Sequence, residues 1–226
     1  PNQVYIGNKK PEELNDVATP WFENPVQGTR EGRFGEIMPQ DEFIGMLKIA
    51  DSFDLVKLTA DFSKAVVEKL KAHELFSDAE LEKFKDSEEI DSIKTFVNEH
   101  HAEGLYHMGE LVGCVKRAHE VDNSLTAHIM FENLVVKASG VLAVKHLMKN
   151  SSVKADEIEY VIECSEEACG DMNQRGGGNF AKSIAEACSF TNATGSDTRG
   201  FCAGPTHALI NAAALVKSGV YKHVVV

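Results

Sequence analysis

Positive charge is scarce in this sequence. Lys plus Arg number 23 against 35 Asp plus Glu, a formal charge of −12. That deficit argues against a sequence-independent grip on nucleic acid, which needs clustered cations, and it predicts a well-hydrated surface. Long apolar runs are missing too: none approaches the roughly 20 residues that a membrane-spanning helix needs. No signal-peptide pattern opens the chain, so the expected location is cytoplasmic. Cysteine is sparse, five in 226 residues without short regular spacing. Reduced thiols are therefore expected rather than a disulfide framework. Internal repeats and low-complexity segments are absent. Neither GxGxxG after a strand nor GK[ST] occurs, so the usual nucleotide-binding loops are missing. The chain starts on Pro1 and stops on "YKHVVV" without turn or polar tail. It reads as an internal piece of a longer protein.

What is present supports a packed core, with 43% hydrophobic and 26% charged residues. Residues 1–41 are rich in proline and glycine and predict an irregular, surface-hugging segment. A lid carrying Arg30 and Arg33 is the alternative. Residues 42–130 read as helical. Asp41 is a plausible cap for "DEFIGMLKIADSF…", and Ser77 opens "SDAELEKF", a capping-box pattern with Glu80. A further helix is expected from about Ser92 to His119. On it His100, Glu103, His107, Glu110 and Cys114 would share one stripe. Those are metal-ligand types, although one helix rarely completes a site and a solvated or partner-facing stripe is the plainer reading.

From Phe131 the pattern changes. "FENLVVKASGVLAVKHLMKN" predicts an amphipathic helix, "VKADEIEYVIECS" a helical turn and a buried strand, and "NFAKSIAEACSF" another helix. "ATGSDTR" reads as extended, Ala203 to Ser218 as an apolar helix, and "VYKHVVV" as a strand. Short apolar strands alternating with helices indicate a parallel sheet with helices on its faces. The expected class is α/β, with an additional mostly helical segment over 1–130.

Cys202 stands at the start of the apolar helix. Pro205 suits a first helical turn, and Lys217 and Gly219 suit a C-terminus. A helix apolar nearly all round is expected to be buried. Its N-terminal amides and dipole would stabilise a thiolate and then an oxyanion. Gly200 and Gly204 leave room for an acyl group, and the Cys202 N–H with the neighbouring amides of Ala203 and Gly204 would form the oxyanion site, which suits covalent thioester catalysis. A buried structural thiol is the competing reading. His207, five residues on, lies on another face of the helix and cannot serve as partner from the same side. Elsewhere, Cys164 and Cys169 in "ECSEEACGD" form a weak metal or redox pair. "QRGGGNF" resembles a flexible helix entry more than a phosphate cradle. Arg175 and Arg199 could attract an anion, with surface ion pairing as the alternative.

The run "GFCAGPTHALINAAALVKSGVYKHVVV", preceded by the helix, "VKADEIEYVIECS" and the extended segment, resembles the N-terminal half of the thiolase superfamily. The closest style is β-ketoacyl synthase III, and the resemblance covers about 131–226. It implies a thiolase-like half-domain with a parallel-rich sheet and helices on both faces, and it puts the acyl-accepting cysteine on Cys202. The whole chain, acidic helical section included, resembles the component C β-subunit family of the glycine, sarcosine and betaine reductases. That implies acetyl transfer through a cysteine thioester, with phosphate as co-substrate yielding acetyl phosphate. No cofactor in this chain is implied. The implied partners are a component C α subunit, a selenoprotein (component A) that supplies selenocysteine, and a further copy of the subunit in a homo-oligomer. A condensing enzyme of the β-ketoacyl-ACP synthase III type and a non-catalytic thiolase-like scaffold are the alternatives. The family's remaining catalytic residues belong to a C-terminal half not in this sequence.

Overall fold

A computed structural model describes residues 10–21, 23–24, 30–32, 35–165 and 179–226. Two compact units divide the chain, residues 1–43 and 44–226. Among its described residues the first unit is loop-rich, as the prolines and glycines predict. It holds a 3-10 helix, Pro11–Asp16, and a two-stranded antiparallel ribbon of β1 (Glu31–Gly32) and β2 (Gly35–Glu36). Arg30 spans this ribbon. Its guanidinium donates to Glu36 Oε1 at 2.7 Å and to both oxygens of Glu42 at 2.5 and 2.7 Å. Hydrogen bonding to Glu42, outweighing burial, raises the Arg30 pKa above the ordinary arginine value. Its charge is committed to that fork. Arg33, the other cation of the expected lid, lies outside the described residues.

Helix α1 (Gln40–Ala50) carries the boundary between the units. It starts at Gln40, so Asp41 sits in its first turn rather than at the cap. In the second unit, β3 (Val56–Leu58) leads to α2 (Ala60–Lys71) and the single turn α3 (Asp78–Leu81). The capping box is present there: Ser77 N–H and Oγ both donate to Glu80 Oε2, at 2.9 and 2.8 Å. Glu80 also pairs with Lys145 at 2.8 Å. Burial pushes the Glu80 carboxyl up, but the bonds from Lys145 and Ser77 outweigh it and hold it below its usual range. A depressed carboxylate stabilises the fold above its unfolded value of about 4.3 and loses that contribution as pH falls through the folded value. Glu80→Gln should therefore lower Tm at pH 7, with the gap to the wild type narrowing as pH falls below about 4. An unchanging gap in thermal melts would remove the charge from the account.

The expected helix from Ser92 to His119 is not one element. Helix α4 (Ile90–Glu99) stops, and a hairpin of β4 (Glu103–His107) and β5 (Glu110–Val115) follows. Its turn residues Met108 and Gly109 both have positive φ, 51° and 84°, the backbone a two-residue hairpin turn requires. The stripe of His100, Glu103, His107, Glu110 and Cys114 is thereby dismantled. His107 faces Glu110 across the turn, and Cys114 pairs with Gly104. Cys114 is fully buried in a cluster with Ile93 and Ala102, against Phe96, Val97 and Leu111. A register shift between Leu105 and Tyr106 breaks the alternation of the hairpin. With β3, the strands form an antiparallel sheet of order β3-β5-β4. The segment 42–130 thus mixes helices with three strands.

Helix α5 (Ala127–Lys149) opens on Thr126, whose Oγ1 accepts from the Ile129 N–H. At 23 residues it is long and apolar enough to cross a membrane by length and composition alone, against the reading that no run approaches that mark. It packs on β4 and β5 and on α6 (Phe180–Ala187). Gly140 permits the close approach to α6: a Cβ there would fall 2.5 Å from Ile184 Cδ1.

Beyond α5 the chain alternates as the sequence predicts. Strands β6 (Tyr160–Glu163), β7 (Thr194–Asp197) and β8 (Val224–Val225) make a parallel sheet of order β7-β6-β8. Helix α6 packs on β6 and β7, and α7 (Gly204–Lys217) on β6 and β8. Gly195 lets β7 sit tight: a Cβ would come 2.5 Å from Val161 O and 2.9 Å from Ala181 Cβ. The described part of this sheet is therefore mixed α/β, as expected.

Candidate functional site

The carboxyl ends of β6 and β7 lie side by side, with Glu163 paired to Asp197 in register. Ligand sites of open parallel sheets gather at such ends. Arg199 fastens the two strands. Its Nη1 donates to Glu163 Oε2 at 2.5 Å and to Ser165 O at 3.3 Å, while Nη2 stands 3.5 Å from Asp197. Asp197 in turn accepts from the Phe180 and Ala181 N–H groups, each at 2.9 Å, at the start of α6. The Arg199 guanidinium also lies 5.9 Å from the Phe180 ring. So Arg199, expected as an anion ligand or a surface pair, stands within an ion-pair network. Arg175, its companion in that expectation, lies outside the described residues, as do Cys169 and the "RGGG" loop.

Cys202 lies on the next turn of chain. Phe201–Ala203 is a 3-10 turn leading directly into α7. Phe201 has φ 47°, a left-handed conformation that costs a bulky residue on the order of 1–3 kcal/mol and is often found at functional sites. Pro205 falls in the first turn of α7, and Gly219 closes its end with φ 75°, as the sequence predicts. The mouth of α7 abuts the end of β6: a Cβ on Gly204 would be 3.3 Å from Cys164 O. A Cβ on Gly200 would meet His207 Cδ2 at 3.2 Å. Gly204 therefore serves close packing between the helix mouth and the strand end, and Gly200 close packing within the mouth. The Ala203 N–H donates to Gly200 O at 3.0 Å and the Gly204 N–H to Phe201 O. These two amides, expected to hold an oxyanion, close the turn here.

Burial of the helix is a correction. Helix α7 buries Gly204 and Ala208, whereas Leu209 and Ile210 are exposed. An all-apolar helix reads as buried because its composition demands cover, and the described residues cover only the side facing the sheet. Cys202 shares that exposure. The other described thiols differ. Burial pushes Cys114 and Cys188 up to about 11. Burial, with Glu163 nearby, raises Cys164.

The sequence reading missed the Glu163–Arg199–Asp197 clamp. Its signal was there: an acidic residue at the end of each strand and one Arg two residues on. Ser165 Oγ, at the end of β6, is buried without a hydrogen-bond partner among the described residues.

No protein-family model and no solved structure matches the chain. It is similar to the glycine/sarcosine/betaine reductase complex component C subunit beta of Peptoclostridium acidaminophilum, at 56% identity over 229 aligned positions. The alignment takes in 100% of this chain and 44% of that protein, so the chain spans less than half the length of the curated relative it matches.

Proposed function

We propose that the chain is the corresponding part of a component C β subunit in a glycine-, sarcosine- or betaine-reductase complex, and that Cys202 carries an acetyl group as a thioester. The observation that carries this reading is the exposed Cys202 at the mouth of α7, beside the carboxyl ends of two parallel strands, in a chain 56% identical to such a subunit. The thiolate attacks the carbonyl carbon of an activated acetyl group, and its leaving group departs with the electron pair. A phosphate oxygen then attacks the thioester carbon. Acetyl phosphate leaves and the thiolate returns. An oxyanion held by Ala203 and Gly204 would have to displace the turn bonds those amides now make. In this reading the acetyl unit starts as a carboxymethyl group on the selenocysteine of the selenoprotein. The Se–C bond breaks with its electron pair going to carbon, which takes a proton, selenium is left oxidised and the carboxyl oxygen leaves as water. The α subunit supplies the phosphate chemistry. A thiolase-like half-domain over 131–226 is the fold that goes with it.

The test is trapping. The full-length subunit is incubated with its complex and substrate, quenched in acid and digested. The peptide containing Cys202 should gain one acetyl group that neutral hydroxylamine removes. An unmodified Cys202 peptide under turnover would overturn the reading. Acetylation from acetyl-coenzyme A alone would turn it toward a condensing enzyme.

A further inference from the structure

The few cations of this acidic chain are not evenly spread. Three lysines gather around residues 49–57 of the second unit. Lys48 is buried and donates to Asp54 Oδ1 at 2.9 Å and Val56 O at 2.8 Å. Lys83 donates to Ile49 O and Asp51 O, each at 2.6 Å. Lys137, 8% exposed on α5, donates to Ser52 Oγ at 2.8 Å. An ammonium carries three N–H donors, so Lys83 keeps one and Lys137 two beyond these bonds.

Neither Lys83 nor Lys137 forms a salt bridge with a described residue. The carboxylates that act on them do so from further off: Asp51 on both, Glu80 on Lys83, Glu186 on Lys137. Asp51 is already engaged by the Phe53 and Val56 N–H groups at 2.9 and 2.8 Å. Glu80 is held by Lys145. Burial lowers the pKa of both lysines. The charge of Lys83 adds to that effect on Lys137, and the charge of Lys48 adds to it on Lys83. The nearby carboxylates thus leave Lys83 and Lys137 without a direct ion pair among the described residues, and a buried charge is unfavourable unless something opposite contacts it.

Both lysines line one cavity of about 290 Å³, together with Ser52, Glu80, Val141 and Glu186. We propose that this cavity binds a phosphoryl oxyanion, held by the spare donors of Lys83 and Lys137 beside the Ser52 hydroxyl. A tetrahedral anion offers oxygens in several directions, which suits donors arriving from separate elements. Free phosphate and a phosphomonoester share this chemistry. The site is independent of the reading of Cys202.

Isothermal titration of the full-length protein with inorganic phosphate, at constant ionic strength, tests it. Binding is expected by about 10 mM. Lys83→Met and Lys137→Met should each weaken it about tenfold, the scale of one charged hydrogen bond. Glu186→Gln should tighten it by removing an opposing charge. Phosphate should raise the Tm of the wild type and leave that of the lysine variants unmoved, and circular dichroism keeps the variants' folding in view. Glycerol phosphate binding more tightly than phosphate identifies an ester as occupant; equal or weaker binding identifies free phosphate. Cys202→Ala should bind as the wild type does. No binding, or binding indifferent to both lysine substitutions, overturns the site.

Discussion

On the proposed thioester route, Cys202→Ala in the full-length subunit, assayed with its complete complex, should cut acetyl phosphate formation by roughly a thousandfold or more, because the acyl unit loses the sulfur proposed to carry it. Stability should move by no more than about 0.5 kcal/mol, because the side chain is exposed and replaced by a smaller one. The two readouts separate a chemical role from a structural one. A variant that unfolds would make Cys202 a packing residue. A variant that keeps its turnover would leave the thioester on some other sulfur. Gly204→Val offers a contrast at the same turn. Its side chain would press on Cys164 O, so it should disturb the helix mouth while leaving the thiol in place.

Alkylation should single out the same sulfur. At pH 8 a thiol near 11 is ionised only about one part in a thousand, and the thiolate is the reactive form. Burial holds Cys114 and Cys188 at about 11 and raises Cys164 less far. Iodoacetamide should therefore modify the exposed Cys202 before Cys114 or Cys188. Raising the pH toward 10 should speed the reaction of Cys114 and Cys188, since these raised thiols begin to ionise there. Peptide mapping over a time course reads the order directly. Equal rates at all thiols, or a preference for Cys169, would count against Cys202 as the nucleophile.

The second half of the chain was legible because its signals are local and agree. A short apolar run marked β6, a helical pattern marked α5, and Pro205 and Gly219 bracketed α7; in the first half, Ser77 with Glu80 marked a capping box in the same local way. The hairpin β4–β5 was not legible for a physical reason. His100, Glu103, His107, Glu110 and Cys114 recur at three and four residues, which imitates a helix face. The shift at Leu105 and Tyr106 disrupts the two-residue alternation that would have revealed a strand, and Met108-Gly109 is a weaker turn signal than Asn-Gly. Composition also misled about α7. An apolar surround predicts that a helix is covered, yet it cannot say which residues do the covering. The clamp of Arg199 with Glu163 and Asp197 joins groups 34 and 36 positions apart, or two, and only the register of β6 on β7 brings them together.

Helix α5 is a party wall. It packs both against the antiparallel strands β4 and β5 and against α6, which in turn packs on the parallel sheet. Withdrawing it would strip apolar cover from both neighbours at once, so neither can come apart in isolation without carrying the other's losses.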